Sequence, residues 1–407
     1  MTSLFVARQP IFDSGERLFA YELLYRRNAI VQRADVEDTP FMSADVIVGT
    51  FLGLGMDVLT GSAIGFVNFG RDQLVSDSWQ LLERDRVVIE LLETVACDAE
   101  VIAACKRLVG AGYRLALDDY IYDPQTQPLL DLASIVKLDV LGRTPDQLAD
   151  IAAGFASVPV KLLAERVETS HVRDQCVALG FEYFQGYFYS KPETFTNQDV
   201  ATGELATLRL LNLLQDPRAS EADIEAAFAT DLALCYKLLR MVNAAAVGGR
   251  GIQSIQHAIR LVGRQSLHRW VALLFVSSLG RGTDVNRELA LNAITRARMC
   301  ELLVRSGGGG RDPGSAFVAG MLSLIDVLLK VPMNQVLRQI DLSVEIEAAL
   351  VGRKGAVAPP LILVEAYERG EWDVVRTIAR SESIIEHQIP SMYFEALRWA
   401  RERLALA

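Results

Sequence analysis

The chain has 407 residues, 51% hydrophobic and 23% charged, with a formal net charge of -10. That length exceeds one ordinary core and predicts two domains, the apolar fraction excludes wholesale disorder, and the negative balance argues against polymeric nucleic acid as a partner while leaving room for a small phosphorylated ligand held by local arginines. Charge interrupts the apolar runs well before the roughly 20 residues of a membrane span, and Arg8 and Asp13 break the opening stretch MTSLFVARQPIFD too early for a signal peptide. A cytoplasmic protein without a membrane partner is expected. Cys97, Cys105, Cys176, Cys235 and Cys300 are odd in number and scattered, with no C-x-x-C, which predicts core thiols and neither a disulfide framework nor a zinc site.

In chain order, the runs LFVARQPIF, RLFAYELLY, AIGFVNF, RVVIELL, YRLALDD, SIVKLDV, VKLLAERV and FEYFQGYFY read as β-strands. After the first, hairpin-like pair, each connection carries a helical pattern. CDAEVIAACKRLVGAG, for example, sets Val101, Ile102, Cys105, Leu108 and Val109 on one face and leaves through Gly110 and Gly112. Strands alternating with helices imply parallel pairing with right-handed crossovers. The fold class expected is α/β, a TIM-like (β/α)8 barrel with an irregular antiparallel first strand pair. Beyond Pro192 the strand signal vanishes. Segments such as TGELATLRLLNLLQ, SEADIEAAFATDLALCYKLLRMVNAAA and NRELALNAITRARMCELLVRS carry apolar residues at helical spacing behind capping residues. An all-α domain over residues 196–407 is therefore predicted after a barrel over residues 1–195, with the boundary in the polar stretch KPETFTNQDV. Ser306 to Gly310, SGGGG, lacks a following Gly-Lys-Ser/Thr and reads as an inter-helix loop.

The functional face of a parallel barrel lies at the C-terminal ends of its strands. There the sequence puts Glu22, Asn68, Glu90 and Glu93, then Asp118 and Asp119, Lys137, Glu165, Glu168 and Gln185. So many carboxylates in one mouth repel unless divalent cations neutralise them, and a donor set of oxygens without His or Cys points to Mg2+ or Mn2+. Asp118 and Asp119 read as metal ligands, with Asp118 able to bridge two ions. A two-metal carboxylate site suits hydrolysis of a phosphodiester, to which Lys137 adds positive charge for the phosphoryl oxygen or the nucleophile.

At these residues the chain resembles the EAL family of cyclic di-GMP phosphodiesterases over roughly residues 4 to 192. The motifs are YELL for the naming E-A-L, VNF for V-N-x-S, IELLE for E-x-T-E, then LALDD, VKLD, LAERVET and FQGYF. The resemblance implies that Glu22, Asn68, Glu90, Asp118, Asp119 and Glu168 hold two Mg2+ or Mn2+ ions. It implies further that Lys137, Glu165 and Gln185 position or deprotonate the water, that Arg26 contacts a ligand phosphate beside Leu24, and that Glu93 steadies the loop after the aspartate pair. Two departures stand out. Leu23 replaces the alanine of the naming motif, and DDYIYDPQT replaces D-D-F-G-T-G-Y-S-S, removing the glycines that support the metals and shape a dimer contact. Changes around metal ligands commonly cost tenfold to about a hundredfold in affinity or activity.

The helical half resembles the HDOD family through DLALCYKLLRMVNAAA, GIQSIQHAIRLVGRQSLHRWV and FVAGMLSLIDVLL. The resemblance implies a regulatory or partner-binding unit. No His-Asp dipeptide occurs in the chain, and Ser323 and Leu324 stand where a metal-binding pair would fall, so no second metal centre is expected. His257, His268, Trp270 and Phe275 read as helix-surface or core residues, and His171 and His387 carry no functional signal. The function expected is binding of cyclic di-GMP and its hydrolysis to the linear dinucleotide, with a protein partner reached through the HDOD half and a homodimer as the assembly. The rival readings are a cyclic di-GMP receptor without turnover and a protein-interaction scaffold.

Overall fold

The computed structural model describes residues 4–27, 56–121, 123–186, 189, 202–229, 260–307, 310–338, 340 and 342–406. Strands β1 (Leu4–Asp13), β2 (Leu18–Arg27), β3 (Ile64–Phe69), β4 (Val87–Leu91), β5 (Arg114–Leu117), β6 (Ile135–Asp139), β7 (Lys161–Glu165) and β8 (Tyr183–Phe184) close into a barrel in sequence order. From β2 to β8 every neighbouring pair is parallel. β1 runs antiparallel to both β2 and β8, with a register shift at Ile11/Phe12. The irregular opening pair expected from the sequence is thus one reversed strand inside a closed barrel.

Side chains alternate along each strand, so one face of every strand fills the lumen. Ile11, Ala20, Phe66, Val88, Ala116, Ile135, Leu163 and Tyr183 form that apolar plug, and Phe19 stacks on Tyr183 at 4.0 Å. The opposite faces, such as Val67, Ile89, Leu115, Val136 and Ala164, meet the surrounding helices. Helices α1 (Ala99–Gly110), α2 (Pro145–Phe155) and α3 (Ser170–Ala178) start where the sequence supplies caps. Asp98 accepts from the amides of Glu100 and Val101, Thr144 pairs reciprocally with Gln147, and Thr169 accepts from Val172. Two crossovers are shorter than their helical pattern suggests. The β3–β4 connection has only a turn of helix at Arg71–Val75 followed by 3-10 turns, and β5–β6 only Gln127–Leu130, where Pro128 sits in the first turn.

From residue 202 on, the described residues contain helices and no strand. They include α4 (Thr202–Gln215), α5 (Glu221–Ala229), α6 (Arg264–Leu279), α7 (Asp284–Ser306), α8 (Pro313–Leu322), α9 (Ala358–Glu368), α10 (Trp372–Ser381) and α11 (Ile389–Leu406), with two helical turns and the helix Val344–Gly352 between α8 and α9. The 23-residue α7 is the centre of this half, buried on several sides and capped by Thr283. α8 crosses it at Gly320, where any Cβ would come within 2.7 Å of the Ala297 backbone. The expected boundary between residues 195 and 196 and the helical segment around His257 lie outside the described residues.

The helical half docks on the outside of β1 and β2. β1 protrudes past its short pairing with β8, which leaves backbone groups needing partners. The Tyr367 hydroxyl supplies them, donating to the Val6 carbonyl at 3.1 Å and accepting from the Val6 amide at 3.3 Å. Next to it, buried Arg8 donates to Glu288 of α7 at 3.3 Å and to the Leu59 carbonyl at 3.1 Å, and lies over the Tyr21 ring. The Tyr21 hydroxyl donates to the other Glu288 oxygen, and Arg401 of α11 reaches the same Leu59 carbonyl. No helix among the described residues is long and apolar enough to cross a membrane. Cys97, Cys105, Cys176 and Cys300 are free thiols, and Cys235 lies outside the described residues.

Candidate active site

The site follows from the plug by strand geometry. Two residues on from each lumen-filling side chain, on the same face, comes a polar one. Ala20 leads to Glu22, Phe66 to Asn68, Val88 to Glu90, Ala116 to Asp118, Ile135 to Lys137, Leu163 to Glu165 and Tyr183 to Gln185. On reversed β1 the step runs backwards, from Ile11 to Gln9, which pairs with Glu22 in the ladder. A polar ring therefore sits directly on an apolar floor.

Lys137 stands at its centre. Wholly buried, its Nζ lies 2.8 Å from Glu165, 3.0 Å from Asp118 and 3.4 Å from Glu22, and donates to fully buried Glu90. Gln185 Nε2 donates to Glu22 at 2.6 Å and to Gln9 at 2.9 Å; Asn68 Nδ2 lies 3.5 Å from the other Glu22 oxygen. The Tyr25 hydroxyl donates to the Asn68 carbonyl, and burial keeps that phenol protonated.

Four carboxylates around one ammonium leave excess negative charge if all are ionised. Burial, reinforced by its acidic neighbours, pushes Glu90 well above the usual carboxylate range against the pull of Lys137. Glu165 is pushed up to about 8, again by burial first. Burial would lower the Lys137 pKa, but Glu22, Glu90, Glu165 and Asp118 outweigh it and hold the ammonium protonated. Glu90 and Glu165 are thus the ring carboxyls whose protonated forms are favoured by burial.

Three of its oxygens are left without hydrogen-bond partners: buried Asn68 Oδ1, Glu90 Oε2 and Gln185 Oε1. Orphaned buried acceptors are costly and mark a place where a cation fits. Together with the carboxylates they form an all-oxygen donor set that suits a hard divalent ion. Among the described residues, no three His, Cys, Asp or Glu side chains are grouped as a metal centre as they stand; in this geometry the Lys137 ammonium lies between the carboxylates.

The remaining predicted residues fall on the rim. Asp119 and Glu168 are exposed, and Asp119 has a left-handed backbone, φ 42°. Although solvent reaches it, desolvation and then repulsion from Asp118 and exposed Glu93 raise the Asp119 carboxyl. That loop has its own supports in place of glycines. The Tyr120 amide donates to the Lys137 carbonyl at 3.3 Å, its hydroxyl meets Thr126 at 2.9 Å, and Asp123 accepts from the Gln125 amide at 2.8 Å. The Arg26 side chain lies outside the described set.

Beside the ring, at the ends of β2, β3 and β4, opens a cavity of ≈ 390 Å³, lined by Leu24, Tyr25, Asn68 and Glu93 and also by Arg369 and Trp372. Sequence reasoning missed Gln9, Tyr25 and the two residues of the helical half. The first was findable from the hairpin register; the last two carry no local signal.

A closed barrel with one reversed strand and a carboxylate ring about a lysine, continued by a helical unit, defines an EAL-type signalling protein. The HDOD domain model matches residues 204–348. YuxH of Bacillus subtilis (strain 168) is 33% identical over 403 residues, 97% of this chain and 98% of that protein. The cyclic di-GMP phosphodiesterase CdgJ of Vibrio cholerae is 30% identical over 410 residues, 99% of this chain and 93% of that protein. The chain belongs to the family they represent, with an EAL-type barrel followed in this chain by an HDOD domain. Among solved structures, the Bacillus subtilis YkuI protein, with an EAL domain and in complex with c-di-GMP and calcium, is 17% identical, covers 71% of this chain and 72% of that chain, and has a TM-score of 0.37. At that score it bears on neither fold nor function.

Proposed function

We propose that the protein is a cyclic di-GMP phosphodiesterase that opens the cyclic dinucleotide to its linear form. The observation that carries this reading is the polar ring of Glu22, Asn68, Glu90, Asp118, Lys137, Glu165 and Gln185 on the barrel floor, with its three orphaned acceptors. Full-length relatedness to CdgJ supports the same substrate.

Glu22, Asn68, Glu90 and Asp118, joined from the rim by Asp119 and Glu168, would hold Mg2+ or Mn2+, because hard oxygen donors favour those ions. When bound, such ions supply Lewis-acid charge to the phosphodiester and make water more acidic. The chain's own residues do the rest. Glu165, 2.8 Å from the Lys137 ammonium, would take the proton from the attacking water as general base. Lys137 stays charged and offers that charge to a phosphoryl oxygen. Gln185, anchored by Gln9 and Glu22, orients the water, and the apolar plug closes the lumen beneath it. Leu24 and Arg26 are assigned to the ligand. The HDOD half serves as the regulatory, partner-binding unit of a cytoplasmic protein.

A second reading, a receptor that binds without turnover, is favoured by the exposed placement of Asp119 and Glu168 next to the glycine-free loop. Incubating the purified chain with cyclic di-GMP and Mn2+ separates them: linear product supports the enzyme, binding without product the receptor.

A further inference from the structure

The cavity beside the ring has a wall from the other half of the chain. Arg369 and Gly370 follow α9 and Trp372 opens α10, yet all three line the same ≈ 390 Å³ space as Leu24, Asn68 and Glu93. The approach is tight. Gly370 has φ +71°, and a Cβ there would lie 3.1 Å from Leu24 Cδ1, so the connection meets the barrel at the third residue of the naming motif.

The wall is also rigid. The Trp372 indole is held edge-on by Phe5, centroids 5.6 Å apart, and by Tyr367 at 5.2 Å and 87°. Tyr367 is itself tied to both backbone groups of Val6. Trp372 remains half-buried, with part of its surface facing the cavity. Arg369, its guanidinium held by Glu371 at 2.7 and 2.8 Å, lies on the same wall. A fixed aromatic surface, with Leu24 next to it and a guanidinium on the same wall, lines the cavity beside a phosphodiester-type site and suits a flat heteroaromatic base. The volume suits a nucleotide-sized ligand.

We propose that the α9–α10 connection is part of the nucleotide site, with Trp372 as a stacking surface for one purine base of the ligand and Arg369 as its cationic neighbour. The inference rests on the cyclic dinucleotide reading of the ring and deepens it: the site is complete only when the helical half is docked. The substrate then bridges both halves, and anything that shifts the helical half changes base binding before it changes the chemistry on the carboxylates.

The test uses the full chain and cyclic di-GMP. Trp372→Ala should weaken binding, measured by calorimetry in Ca2+, by roughly 5- to 150-fold, the range of one base–aromatic stack. In Mn2+ it should raise KM by a similar factor with kcat within about twofold. Trp372→Phe should recover most of the affinity. Parent emission should change on adding nucleotide, and Trp372→Phe, which keeps Trp79, Trp270 and Trp399, should lose that change. Unaltered KM and affinity in Trp372→Ala, or parent emission insensitive to saturating nucleotide, would overturn the inference while leaving the phosphodiesterase reading intact. A parent that binds no cyclic di-GMP takes both down.

Discussion

Replacing Lys137 with methionine keeps the unbranched apolar stem and removes the ammonium that contacts Glu22, Glu90, Asp118 and Glu165. Deleting one partner of a buried ion pair typically costs about 3–5 kcal/mol, because the other charge is left uncompensated. The ring has one way to relax, which is to take up protons. The raised Lys137 pKa means its contribution is fully present below its ordinary value of 10.5, hence throughout neutral pH. Glu165 behaves oppositely. Its folded pKa of about 8 lies above the unfolded value, so folding retains a proton that the unfolded chain releases, and stability from this group falls as pH rises towards 8. Without the lysine the carboxyls need still more protons, so the penalty should sit near the lower end of the range at pH 5.5 and grow by on the order of 1–2 kcal/mol at pH 8.5. Urea unfolding of parent and variant at both pH values, in EDTA, measures this. Excess Mn2+ should stabilise the variant more than the parent, since a cation now replaces the ammonium. A variant destabilised by less than about 1 kcal/mol at pH 8.5, or equally at both pH values, would refute the claim that Lys137 neutralises the ring.

Other outcomes follow from the same structure. Glu22→Gln and Asp118→Asn should each abolish hydrolysis while leaving unfolding midpoints nearly unchanged, because each keeps the size of the side chain and removes one charge from a ring in which four carboxylates surround a single ammonium; product formation at the parental rate in both would dismiss the assigned ligands. Glu288→Ala should cost about 3–5 kcal/mol by stranding buried Arg8 and the Tyr21 hydroxyl, whereas Glu288→Gln keeps hydrogen-bonding atoms there and should cost less; denaturation curves that rank them otherwise would show that this contact does not hold the halves together. Burial depresses the His268 pKa to about 4, with its Nε2 2.8 Å from the Gln215 amide nitrogen. Its contribution is therefore present above pH 6.5 and lost as pH falls towards 4, worth ~3 kcal/mol, and His268→Gln should flatten the acid side of the stability profile by up to one proton.

Much of the fold was legible because strand period and helix caps are local. The runs from LFVARQPIF to FEYFQGYFY mark the strands that close the barrel, and Asp98, Thr144 and Thr169 cap the helices that follow. The ring was legible for the same reason, since a polar residue two places after an apolar lumen residue recurs on seven strands, from Ala20–Glu22 to Tyr183–Gln185. Gln9 escaped because its strand is reversed and the step runs backwards. The exposure of the rim residues could not be read, because the left-handed turn at Asp119 separates two adjacent aspartates into a ring residue and an exposed one. Trp372 was invisible for a different reason. The role proposed for it depends on a contact with Phe5 across most of the chain, which no period encodes.

Product analysis decides whether the carboxylate ring hydrolyses cyclic di-GMP. The full chain is incubated with cyclic di-GMP in Mn2+, with EDTA and Glu22→Gln as controls, and the nucleotides are separated by chromatography. If the ring hydrolyses cyclic di-GMP, linear dinucleotide appears with the parent in Mn2+ and in neither control. Intact cyclic di-GMP throughout, or linear product persisting after exhaustive chelation, would contradict that assignment.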